Sequence, residues 1–95
     1  MIVNLNKVTI ISKKGCHICE NVIEDFHELS SKYLFDLEVL DILDDQSLFD
    51  KYLLKIPVVR LNGEDIFEVE EIAIPKERKK KLESMLQTIH KEEMK

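Results

Sequence analysis

The sequence contains no tryptophan, and only two glycines, two prolines and two cysteines. So few glycines and prolines leave little room for flexible linker or low-complexity segments. No apolar run approaches the roughly 20 residues that a membrane-spanning helix needs. The start, Met1 to Ile11, carries polar Asn4, Asn6 and Lys7 and no small-residue cleavage site, so no secretory signal is expected. Positive charge is also scarce: 14 basic against 19 acidic residues leave a net charge of −5. A phosphate backbone needs a basic face, so nucleic acid is not expected as the main partner. The one basic run, Lys76-Glu77-Arg78-Lys79-Lys80-Lys81, reads as a solvated helix face. One pair of cysteines is too few for a closed zinc site built from two such pairs.

Apolar residues make up 44 % of the 95 positions, enough for one modest core. The expectation is a single domain over residues 1–95, soluble, cytoplasmic and monomeric. In a reducing cytosol, two cysteines spaced C-x-x-C are more often catalytic or metal-binding than a structural staple.

Periodicity orders the chain. Met1 to Leu5 is a lead-in or an extension of the first strand. Lys7 to Ser12 is a β-branched run suited to a buried strand. Lys13-Lys14-Gly15 breaks it. From His17 the apolar residues Ile18, Val22, Phe26, Leu29 and Tyr33 recur at helical spacing, with Ile23 beside them, for about four turns. Leu34 to Asp41 alternates like a half-exposed, edge-type strand. Asp44 or Asp45 can cap a short helix running to about Leu54. Pro57 opens a strand, Val58 to Leu61. Asn62-Gly63 is a hairpin signal, because both residues tolerate positive φ. Glu64 to Val69 is the return strand. Pro75 suits the first turn of a last helix, with Leu82, Met85, Leu86 and Ile89 on one face. The order is β-α-β-α-β-β-α. It predicts an α/β fold: a mixed four-stranded sheet flanked by three helices, its first two strands parallel through a right-handed crossover.

Cys16-His17-Ile18-Cys19 falls where the first strand gives way to the first helix. Backbone N–H groups at a helix start are unpaired, and the macrodipole adds partial positive charge there. A thiolate at Cys16 is stabilised by both, which predicts a thiol pKa below the free value of about 8.5. Cys19 lies one helical turn on, within reach of Cys16. Lys13, Lys14 and His17 add positive charge, and Lys14 and His17 are the candidates for tuning the thiol. Tyr33 and Tyr52 read as packing residues, and Arg60 as solvent-facing.

The strand–C-x-x-C–helix unit, the element order, and Ile56-Pro57 ahead of the third strand resemble the thioredoxin superfamily. The small size and the place of the motif resemble its glutaredoxin-like branch. The resemblance runs from about Val3 to Ile89. It implies that Pro57 is cis and faces the cysteines, and that Ile56 offers its backbone to an extended substrate segment. It implies a thiol–disulfide oxidoreductase acting on protein disulfides, with Cys16 as nucleophile and Cys19 as resolving thiol. Such an enzyme needs no cofactor and no metal, only an external thiol reductant or reductase. The sequence departs from the family at three places. His17-Ile18 replaces the Gly-Pro usual in thioredoxins, and Lys7 to Ser12 contains no acid. Glu68-Val69-Glu70-Glu71-Ile72 stands where glutathione-binding glutaredoxins carry Gly-Gly, which argues against glutathione as the reductant. Two alternatives remain for the same residues. One is a metal or iron–sulfur carrier, recruiting His27 or His90 or a second chain. The other is a non-catalytic binding module of the same fold.

Overall fold

A computed structural model describes residues 5–93, with side chains through His90; Met1 to Asn4 of the expected lead-in Met1 to Leu5 lie outside the described residues. β1 (Lys7–Ser12) is buried from Val8 to Ser12. Burial on that scale requires every backbone group to be paired, and both edges of the strand are occupied. β2 (Asp36–Asp41) runs parallel to it, with Lys7 opposite Asp36 and Ser12 opposite Asp41. β3 (Val58–Leu61) runs antiparallel on the other side, with Val8 opposite Leu61 and Ile11 opposite Val58. Asn62 and Gly63 take φ of 51° and 87°, and the chain returns as β4 (Glu64–Phe67). The strand order is β2-β1-β3-β4, a mixed sheet with β2 at one edge, as the alternation predicts.

Alternating side chains feed two cores. On one face Val8, Ile10 and Val59 meet Val22 and Phe26 of α1 (His17–Leu29) and Leu82 and Leu86 of α4 (Pro75–Glu93). On the other, Ile11 and Val58 meet Ile42 and Tyr52, supplied by a 3-10 turn (Ile42–Asp44) and by α2 (Gln46–Tyr52). Asp45 is the cap of α2, its carboxylate accepting from the Ser47 and Leu48 N–H groups.

The structure departs from the sequence reading at four points. α1 ends at Leu29, short of Tyr33, because the Ser30 and Ser31 hydroxyls donate back to the His27 and Glu28 carbonyls and close the last turn. The return strand stops at Phe67. A one-turn helix, α3 (Val69–Ile72), follows and joins the three expected helices. The Glu71 carboxylate accepts the Glu68 N–H at 3.2 Å, closing that turn, while Ile72 buries itself in the larger core. Arg60 does not simply face solvent. It donates to Asp65 at 2.9 Å and to the Tyr52 hydroxyl at 2.9 Å, and that hydroxyl donates to Asp65 at 2.7 Å. Burial opposes ionisation of Asp65, but the bonds from Tyr52 and Arg60 outweigh it and hold Asp65 below the ordinary carboxylate value.

The fourth departure is inside the basic run. Arg78 is buried, one helical turn before Leu82 and two before Leu86 on the inner face of α4. Its Nε donates to the buried Asp25 of α1 at 2.6 Å, and a second guanidinium nitrogen reaches the Ile72 carbonyl at 3.4 Å. One arginine thus ties α1, α3 and α4 together. Arg78→Met strands a buried carboxylate and is expected to cost about 3–5 kcal/mol in urea denaturation. Pairing it with Asp25→Leu removes both charges and is expected to recover much of that loss. Equal losses in the single and double variants would show that packing around Arg78, not its charge, is what matters.

Candidate active site

The strand directions gather four connections at one end of the sheet. β1, β2 and β4 end there, and β3 begins there. The segments that follow or precede them are Lys13–Cys16, Asp41–Leu43, Lys55–Pro57 and Glu68–Glu71.

The first of these presents the cysteine motif. The Cys16 N–H bonds back to the Lys13 carbonyl at 3.1 Å, and Gly15 sits at φ +88°. This is a tight turn with glycine where positive φ is needed. Cys16 then stands at the N-cap of α1 in extended conformation, φ −87° and ψ 109°. Its Sγ accepts the Cys19 N–H at 3.2 Å, so the sulfur occupies a place that a capping oxygen fills in other helices. The two cysteine sulfurs are paired, with Cα atoms 5.2 Å apart, inside the range for a disulfide. Cys19 is 1 % exposed, and Cys16 is half-buried. A negative charge on the Cys16 sulfur would meet a helix-start N–H directly.

The residues expected to tune the thiol are placed differently from one another. His17 lies on the outer side of α1, 94 % exposed, its Nδ1 3.8 Å from Glu20. Lys13 and Lys14 are exposed beside the turn. The backbone N–H of Lys14 donates to the Asp41 carboxylate at 3.2 Å. In the sequence Asp41 is the last residue of the expected second strand. Nothing in its local pattern distinguishes it, because its partner lies 27 positions away.

Ile56-Pro57 is cis, as the resemblance implies. The register pairs Val58 with Ile11, so Pro57 stands one step beyond, level with Ser12 at the end of β1. Pro57 is fully buried and Ile56 packs on the smaller core. The Ile56 N–H donates to the Tyr52 carbonyl at 3.2 Å. Its carbonyl has no hydrogen-bond partner among the described residues. At Ile56 the backbone N–H is thus engaged and the carbonyl is not. Lys55 ties this loop to the fourth segment: its carbonyl accepts the Val69 N–H at 3.0 Å, and its ammonium lies 3.9 Å from Glu68. In that fourth segment Glu71 is turned back on the Glu68 N–H, and Glu70 is exposed.

His27 and His90 do not join the cysteines. His27 is on the last turn of α1, and His90 stacks edge-on against Tyr33. Among the described residues no group of three or more His, Cys, Asp or Glu side chains is placed to hold a metal ion. No described helix is long and apolar enough to cross a membrane.

Comparison with known proteins bears on the family and the fold. A family model described as a glutaredoxin-like domain (DUF836) matches residues 7–90. No curated protein matches the sequence. Among solved structures, the protein Ne2328 of Nitrosomonas europaea superposes with a TM-score of 0.61 at 27 % identity, over 72 % of this chain and 82 % of that one. A mutant thioredoxin from Halobacterium salinarum superposes with a TM-score of 0.64 at 17 % identity, over 90 % of this chain and 74 % of that one. At that identity the thioredoxin likeness carries the fold alone. The match across residues 7–90, on a thioredoxin-like fold with its cysteines paired at a helix start, makes this chain a member of the glutaredoxin-like (DUF836) domain family.

Proposed function

We propose that the protein is a thiol–disulfide oxidoreductase that reduces protein disulfides through Cys16 and Cys19. The observation that carries this reading is the Cys16 sulfur at the N-cap of α1, accepting a helix N–H and lying against the sulfur of a buried Cys19. In the reduced protein, the Cys16 thiolate attacks one sulfur of a substrate disulfide. A Cys16–substrate bond forms, and the other substrate sulfur leaves as a thiolate. Cys19 then loses its proton and attacks the Cys16 sulfur. The second substrate thiolate leaves, and the Cys16–Cys19 disulfide remains. An external dithiol or reductase returns two electrons and two protons.

Substrate is held by strand addition in a reduced form. The Ile56 N–H is engaged by Tyr52, so Ile56 accepts one hydrogen bond from the substrate backbone and donates none. Lys14 and His17 act on the thiolate as neighbouring charge at most, since His17 is directed toward Glu20. The partners on this reading are protein disulfides and a thiol reductant in a reducing, cytoplasmic setting, with the protein acting as a monomer and without resident metal or cofactor.

Glutathione fits the site poorly. Its carboxylates need free backbone N–H groups and basic side chains. Here the Glu71 carboxylate already occupies the Glu68 N–H, and Lys55 is paired with Glu68. A further carboxylate at this place meets the negative charges of Glu68, Glu70 and Glu71.

Cys16→Ser is expected to abolish reduction of a protein disulfide, and Cys19→Ser to accumulate mixed disulfides at Cys16. Faster alkylation of Cys19 than of Cys16 near neutral pH would reverse the assignment. With glutathione as sole reductant, turnover of a glutathionylated peptide is expected to be poor, and turnover with a dithiol clearly better. Efficient glutathione-dependent turnover that survives charge reversal at Glu70 and Glu71 would overturn the reading of that segment.

A further inference from the structure

The turn that presents Cys16 has almost nothing to pack against. Lys13, Lys14 and Gly15 are all exposed, and a side-chain carbon built on Gly15 would meet no atom within 4 Å. Its far side is anchored to α1 through Cys16. Its near side is the end of β1. Among the described residues, one side chain from elsewhere hydrogen-bonds to the turn: Asp41, at the end of β2, which accepts the Lys14 N–H through Oδ2 at 3.2 Å. The other carboxylate oxygen, Oδ1, accepts the Leu43 N–H at 2.8 Å and caps the 3-10 turn that follows β2. Each oxygen thus serves a different segment.

We propose that Asp41 is a positioning residue for Cys16, latching the Lys13–Cys16 turn to the end of β2 so that the Cys16 sulfur is held against Cys19. Cys19 is buried on a packed helix and has little freedom of its own. The geometry of the cysteine pair therefore depends on how firmly the turn is held. A latched turn raises the effective concentration of one sulfur at the other, which favours the intramolecular disulfide. This inference rests on the redox reading of the two cysteines, and it adds a residue that touches neither sulfur.

Asparagine separates the two jobs of Asp41. It has one acceptor oxygen where aspartate has two, and its amide nitrogen can only donate. Asp41→Asn can keep the local cap on Leu43, for which asparagine is well suited, and must then give up Lys14. Asp41→Ser keeps a capping oxygen that is too short to span to the turn. Asp45→Asn is the charge control. It removes the same charge four positions on, while both bonds accepted by Asp45 go to its single Oδ1 and are retained.

The test equilibrates each reduced protein with oxidised and reduced dithiothreitol. Two cysteine thiols and one dithiothreitol disulfide exchange for one Cys16–Cys19 disulfide and one dithiothreitol dithiol. The oxidised fraction is read by alkylation and mass spectrometry, and hydrogen exchange is followed at the Lys14 amide. Asp41→Asn and Asp41→Ser are expected to lower the equilibrium constant for the Cys16–Cys19 disulfide by about three- to tenfold, the size of one lost hydrogen bond. Lys14 exchange is expected to accelerate in both, and Asp45→Asn to stay within about twofold of the parent. An equilibrium constant in the Asp41 variants equal to that of Asp45→Asn overturns the proposal. So does unchanged Lys14 exchange, whatever the equilibrium does. The equilibrium needs no protein substrate, so a parent protein that forms the disulfide but fails to reduce protein disulfides would count against the proposed function and leave this inference standing.

Discussion

β1 is hydrogen-bonded along both edges and buried on both faces, and the rest of the molecule is arranged around that double demand. A strand so enclosed has no tolerance for slippage. A shift of one residue would move Val8 and Ile10 out of the larger core and Thr9 and Ile11 into it. The crossover to β2 must then pass over one face, which puts α1 where its Val22 and Phe26 can cover Val8 and Ile10. The place of the cysteine motif follows. It is the first stretch of chain to leave β1, and the helix it opens is already committed to the sheet.

The same constraint explains why the site is assembled from short, hydrogen-bonded segments, of which only Asp41–Leu43 and Lys55–Pro57 send side chains into the core. Four connections emerge at the end of the sheet where β1 stops, and water reaches most of them. Polar bonds take over the work of burial there. Asp41 reaches the turn before Cys16, Lys55 reaches Val69 and Glu68, and Glu71 closes its own turn. At the cysteines the helix start favours a thiolate, while several carboxylates stand in the neighbouring segments. Behind the site, Arg78 joins α1 to α3 and α4 through the buried Asp25 and the Ile72 carbonyl, so the cysteine helix and the segment after β4 share one support.

Much of this was legible in the chain itself. The β-branched run Lys7 to Ser12, the helical spacing from Ile18 to Leu29, Asn62-Gly63 and Pro75 each carry a local cause, and local causes survive folding. The place of Cys16-His17-Ile18-Cys19 between strand and helix was legible for the same reason, and so was the order that makes the sheet mixed. Boundaries were less so. Where α1 stops depends on which carbonyls the Ser30 and Ser31 hydroxyls find, and the turn at Glu68–Ile72 depends on one carboxylate folding back.

Tertiary structure decided which polar side chains meet partners far off in the sequence. Helical spacing sets Arg78 on the face of Leu82 and Leu86, apart from its neighbours in the basic run, but only the packing of α4 against α1 brings it opposite Asp25, 53 positions away. Arg60 faces Asp65 across the β3–β4 hairpin, and it acquires Tyr52 only because α2 packs beside it. Asp41 becomes part of the cysteine site because β2 lies parallel to β1 and ends level with it. The sequence by itself determined the main elements, their order and the place of Cys16 and Cys19 between strand and helix, since these follow from neighbours along the chain. Which side chains hold that chemistry in place was decided in three dimensions. Hydrogen bonds and ion pairs act over about 3 Å, and no residue's identity records what folding will bring within that distance.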